Sequence, residues 1–135
     1  MEESILLYNF KSPFMLGQLK TICARMGLKV HIVGPDSYGL PLGIVAFGGE
    51  KLIEEYQKQK ADGTPFSDEM LIFAGLTGER IDEFLTSMKS MKLPKIDLKA
   101  MVTEYNATWS SFELHQALTE EHEAVMKTLR NKKKQ

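Results

Sequence analysis

The stretch Ile5-Leu6-Leu7-Tyr8-Asn9-Phe10-Lys11-Ser12-Pro13 opens a strand and then a helix. Its first six residues are mostly apolar strand formers. Ser12 before Pro13 is favoured where a helix begins, since a serine hydroxyl accepts an otherwise unpaired amide and proline lacks an N–H that would find no partner there. The predicted helix places Leu16, Leu19, Cys23 and Met26 at spacings of three and four, with Met15 and Ile22 beside them, and Gly27 stands where it would stop. Residues 28–33 read as a second strand, Val30 and Ile32 alternating with Lys29 and His31.

The pattern returns downstream. Met70-Leu71-Ile72-Phe73-Ala74 is an apolar strand, Thr77 a helix cap, and Ile81, Phe84, Leu85, Met88 and Met91 an apolar helical stripe; 95–102 alternates again through Ile96 and Leu98. Ser12 and Thr77, Leu16 and Ile81, Leu19 and Phe84, Cys23 and Met88, and Met26 and Met91 each stand 65 residues apart. Two strand–helix–strand units, read as a duplication, predict an α/β fold of the α+β plait type. In this ferredoxin-like, four-stranded antiparallel sheet the nearly continuous apolar strands one and three lie in the middle, and strands two and four, carrying Lys29, His31, Lys95 and Lys99, lie at the edges. A parallel doubly wound sheet is the alternative.

At 135 residues, with 43% hydrophobic and 26% charged residues, one hydrophobic core is expected. A single domain over 1–131 is predicted, with units at 5–33 and 70–102, a surface excursion at 34–69, a last helix over about 110–130 and a basic tail at 132–135. The excursion begins with turn-forming Pro35-Asp36-Ser37-Tyr38-Gly39 and carries a weakly amphipathic helix over 50–60. Ser110 and Glu113 form a capping box for the last helix, whose acidic residues precede its basic ones, as the helix dipole favours. Two packed helices cover one sheet face, and strands apolar on both sides need cover on the other. The last helix, the excursion or a second copy of the chain would supply it, so a homodimer is among the expectations.

A net charge of −1 provides no field to hold a polyanion, so nucleic acid is not the expected partner. The acidic start Met1-Glu2-Glu3-Ser4 lacks the pattern of a signal peptide, and no apolar run approaches a membrane span; a cytoplasmic location is expected. Cys23, the single cysteine, reads as a core residue.

No catalytic set, cofactor or metal site is expected. His115 and His122, seven apart on a helix, stand about 10 Å apart along its axis, too far for one ion. Gly43 to Gly48 has the spacing of a phosphate loop, but Gly49-Glu50 replaces the lysine that such a loop requires. What remains is loop chemistry: Asn9 after strand one, Asp36 and Tyr38 after strand two, Asn106 and Trp109 before the last helix. Such residues can line ligand clefts; the reading favoured for two of them is structural, Asn106 ordering its own turn and Trp109 anchoring the last helix onto the sheet.

The chain resembles a family of small prokaryotic proteins known as domain of unknown function 3783. The resemblance is carried by Leu-Tyr-Asn-Phe at 7–10, Asp-Ser-Tyr-Gly-Leu-Pro-Leu-Gly at 36–43, Phe-Ser-Asp-Glu-Met-Leu-Ile-Phe-Ala-Gly at 66–75, Ile-Asp-Leu-Lys-Ala-Met-Val-Thr-Glu-Tyr-Asn-Ala-Thr-Trp at 96–109 and Glu-Glu-His at 120–122. It implies one compact domain, draws attention to Tyr38, Lys99, Asn106 and Trp109, and supplies no activity.

Three functions are in view. The first is a non-catalytic, self-associating module that binds a protein or small-molecule partner through Asn9, Asp36, Tyr38, Lys99, Asn106 and Trp109. The second is an enzyme whose acid and base groups, Asp36, His31 and Lys99, converge on folding. The third is an RNA-binding sheet face with Tyr8 and Phe73 as stacking residues.

Overall fold

The computed structural model describes residues 2–57 and 63–133. Four strands, β1 (Ser4–Tyr8), β2 (Lys29–Ile32), β3 (Met70–Ala74) and β4 (Leu98–Met101), form one open sheet in the order β2-β1-β3-β4. The helices are α1 (Pro13–Met26), α2 (Leu42–Phe47), α3 (Gly49–Gln57), α4 (Gly78–Ser90) and α5 (Ser111–Lys133), with a short 3-10 turn at Pro35–Ser37. The mixed α/β class, the four-stranded sheet and the added C-terminal helix agree with the sequence reading. The excursion helix lies at Gly49–Gln57, and the part expected over 58–60 is outside the described residues.

β1 and β3 are central, as expected, and run antiparallel from Ser4 opposite Ala74 to Tyr8 opposite Met70. The outer pairings differ from expectation. β2 lies parallel beside β1 and β4 parallel beside β3, so each unit is an unsplit βαβ and the sheet is mixed rather than antiparallel. The reason this was not legible is physical: split and unsplit arrangements both bury the first and third strands and leave the second and fourth at the edges. Their burial patterns are therefore alike.

Every side chain of β1 and β3 is buried. Ile5, Leu7, Leu71 and Phe73 face α1 and α4, packing with Leu19, Ile22, Cys23, Phe84 and Met88. Leu19 and Phe84, and Cys23 and Met88, occupy equivalent buried places, and the caps are as read: Ser12 accepts from Met15 N, and Thr77 from Arg80 N. Cys23 is 1% exposed, and burial pushes its thiol pKa up to about 12, which suppresses the reactive thiolate.

The other face of the sheet holds Leu6, Tyr8, Met70, Ile72 and Ala74. Its cover comes from this chain: Tyr38, Leu40, Leu42, Val45 and Ala46 of the excursion, and Leu114 of α5. The segment read as a surface excursion is thus half of the second core, because its apolar residues meet the sheet that the strands leave open. No second copy is needed for that cover.

Arg80, at the start of α4, ties the two units together. Its guanidinium donates to both carboxylate oxygens of Glu3 at 3.1 and 3.0 Å, to Glu83 at 2.7 Å, and to the Met26 carbonyl at the end of α1. The hydrogen bonds and charge of Arg80 hold the Glu3 carboxyl below its ordinary value. A group depressed on folding stabilises above its unfolded pKa and loses that contribution as pH falls through the folded one. Thermal melts should therefore show wild type losing stability below the ordinary carboxylate range, and Arg80→Met, already less stable at pH 7, losing less on acidification. Parallel pH profiles of the two proteins would refute this role.

Candidate functional site

Two of the sequence stretches singled out above meet each other. Leu42 N donates to Trp109 O at 2.8 Å, Gly43 N to Ala107 O at 2.9 Å, and Ser111 N to Tyr38 O at 2.9 Å. The pairing is close at Gly43, where a β-carbon would stand 3.3 Å from the Ala107 carbonyl oxygen, tighter than an ordinary contact. Asn106 orders the turn before it, accepting from Thr103 N at 2.8 Å and donating to Met101 O at 3.0 Å. Trp109 is half-buried against the second core.

Asn9 and Tyr38 come together at the carboxyl end of β1. The Tyr38 hydroxyl donates to Asn9 Oδ1 at 3.1 Å, while Asn9 Nδ2 donates to the carbonyls of Phe66 and Asp68 at 2.9 and 3.0 Å. Asn9 adopts φ 64°, a left-handed conformation that asparagine tolerates better than most residues. Tyr38 stacks on Phe66 at 4.6 Å between ring centres, and Phe66 on His115 at 3.9 Å; His115 Nε2 meets Asp68 Oδ2 at 2.8 Å. Beneath them the Tyr8 hydroxyl pairs with Ser111 Oγ at 2.7 Å. Burial raises the pKa of both tyrosines, so both remain neutral hydrogen-bonding groups. The cluster joins β1, the lead into β3 and α5, and its polar atoms are spent on one another.

The other candidates lie apart. Asp36 is exposed on the 3-10 turn. His31 sits opposite Leu6 on β2, on the face that the excursion covers, and burial lowers its pKa; Lys99 sits opposite Leu71 on β4, on the α1–α4 face. Three strand spacings of about 4.8 Å put the two backbones roughly 14 Å apart at opposite edges. Asp36, His31 and Lys99 therefore do not converge, and the acid–base reading loses its geometry. The RNA-binding reading fails on burial: Tyr8 is 0% and Phe73 3% exposed, with both faces of the sheet covered.

Lys99 does line a cavity. A cleft of about 410 Å³ opens between α4 and β4, its walls formed by Leu85, Met88, Leu93, Pro94 and Ile96, with Lys89, Lys95 and Lys99 around it and Asp82 and Thr86 at its side. It exists because the two units differ in one connection. Residues 27–28 alone join α1 to β2, whereas 91–97 join α4 to β4. Met91 N, Lys92 N and Leu93 N turn back onto the carbonyls of Ser87, Lys89 and Met88, with Lys92 at φ 55°. Lys99 Nζ donates to Ile96 O at 2.7 Å across that connection. Desolvation lowers the Lys99 pKa, and the neighbouring charge of Lys95 adds to the effect. Leu85, Leu93, Pro94 and Lys95 were not singled out in the sequence as site residues; the longer second connection was the available signal.

The fold and cleft define a mixed α/β protein with a cleft beside α4 and β4. Residues 69–125 match the model of a family described as Domain of unknown function (DUF3783). The resemblance read in the sequence holds over that segment, which contains β3, α4, the cleft, β4 and most of α5. No curated protein and no solved structure matches the chain. No helix among the described residues is long and apolar enough to cross a membrane.

The Asn9 clamp yields a stability test. Asn9→Ala removes the amide that donates to two carbonyls and accepts from Tyr38, puts alanine where asparagine better tolerates the left-handed conformation, and is expected to cost about 1–3 kcal/mol in urea unfolding. Asn9→Gly keeps the backbone conformation and should cost less. Equal stability of all three proteins would show that the clamp contributes nothing.

Proposed function

We propose that this chain is a non-catalytic binding module whose ligand is a small, largely apolar molecule held in the α4–β4 cleft. The observation that carries this reading is the cleft itself: about 410 Å³, with apolar walls and Lys89, Lys95 and Lys99 around it. That volume lies within the range of small-molecule sites, whose few polar groups set orientation while apolar walls supply most of the affinity. The aromatic cluster around Tyr38 supports the same division of labour, since its polar atoms serve the fold. Titration of the ¹⁵N-labelled chain with 4-phenylbutanol tests the reading. Saturable amide shifts confined to 82–99, abolished by filling the cleft with Leu85→Trp, are expected; shifts that persist in that variant would sink it.

Self-association is a second reading, favoured by a separate observation. Val125, Met126 and Leu129 of α5 are 52%, 44% and 48% exposed, beyond the part of the helix that covers the sheet. A second copy meeting this stretch through the same residues would bury them in a closed two-fold contact. Sedimentation equilibrium at tens of micromolar should show a dimer that Leu129→Glu dissociates; a wild-type monomer at that concentration excludes it.

A further inference from the structure

Resting on the cleft as the binding site, we infer that its ligand is an amphipathic monoanion, a carboxylate on a short apolar body, with the anionic group received by Lys95 and Lys99. Three ammonium groups and one carboxylate line the cleft. Among the described residues Lys29 is the one lysine that forms a salt bridge, and Lys89, Lys95 and Lys99 are among those that form none. An ammonium has three N–H donors, and Lys99 spends one on the Ile96 carbonyl, which fixes its head at the cleft while leaving the others free.

The environment around these lysines points the same way. Lys99 is partly desolvated and faces the charge of Lys95, with Asp97 providing some attraction. An incoming carboxylate would replace part of the lost hydration and relieve the repulsion between the two ammoniums, whereas an incoming amine would increase it. The C-terminal end of α4 is nearby and carries partial negative charge, which opposes an anion. Its last carbonyls are, however, occupied by the amides of Met91, Lys92 and Leu93, and within the cleft three lysines face Asp82 and roughly half a charge, while Asp97, Glu121 and Glu123 line separate depressions that Lys95 or Lys99 also borders. The apolar walls, Leu85, Met88, Leu93, Pro94 and Ile96, demand that the rest of the ligand be hydrocarbon-like. An inorganic anion would leave those walls unused.

A matched trio of probes separates this inference from the reading beneath it. 4-Phenylbutyrate, 4-phenylbutanol and 4-phenylbutylamine share one apolar body and differ in charge, and each is titrated against the ¹⁵N-labelled chain at low and high salt. The expected result is butyrate binding at least tenfold more tightly than the alcohol, with the amine weakest. The advantage should shrink in high salt and fall severalfold in Lys99→Met and in Lys95→Met, the latter an exposed position whose replacement leaves the fold intact. Alcohol or amine binding as tightly as butyrate, or inorganic phosphate producing the same shifts, overturns the monoanion. Absence of localised shifts with all three probes overturns the cleft as a site.

Discussion

The antiparallel seam between β1 and β3 is the constraint on which the rest of the molecule depends. Ten residues, Ser4–Tyr8 and Met70–Ala74, are buried without exception, so the sheet has no face that can be left to water. Each large apolar side chain placed there contributes about 1.5–3 kcal/mol, but only if something covers it. Two helices from the βαβ units close one face. The additions to those units, the segment from Pro35 to Gln57 and the start of α5, close the other.

That second cover explains why so many of the most recognisable residues are structural. Tyr8 is fully buried with a hydroxyl that needs a partner, and Ser111 at the first turn of α5 provides it. Tyr38 needs one too and finds Asn9, whose own amide then holds the chain entering β3. The pairing of 42–43 with 107–109 supplies the backbone partners that a loop crossing a sheet face requires. Asn106, Trp109 and Gly43 belong to that joint.

Much of the fold was legible because it is written in local signals. Ser12 with Pro13, Gly27, Thr77 and the Ser110–Glu113 capping box all act over a few residues, and each marks the end it predicts. The continuous apolar runs at 5–8 and 70–74 stated correctly that both faces are covered. Strand pairing was not legible in the same way, since Lys29 and Lys99 sit at sheet edges whether the edges run parallel or antiparallel to their neighbours. The role of the 34–69 segment was hidden for a related reason: Tyr38, Leu40, Leu42 and Val45 show no single period, because they reach the sheet from a turn, a loop and a short helix in succession.

The site was less legible than the scaffold because a cleft is a property of mismatch. α1 passes to β2 through residues 27–28 alone, whereas α4 passes to β4 through 91–97, and the cleft lies beside that longer connection. Met88 and Ile96 are buried in the packing of that sheet edge, with Leu85 against them, and the surface they still present forms part of the cleft walls. Lys99 was visible as an edge lysine, a residue that ordinarily blunts strand pairing and needs no further reason. Its distinction comes from the connection beside it, which supplies the carbonyl that holds its head, brings Lys95 close and opens the space between them. The two units therefore share a scaffold and diverge at one loop, and it is the longer loop that leaves unpaired charge next to apolar surface.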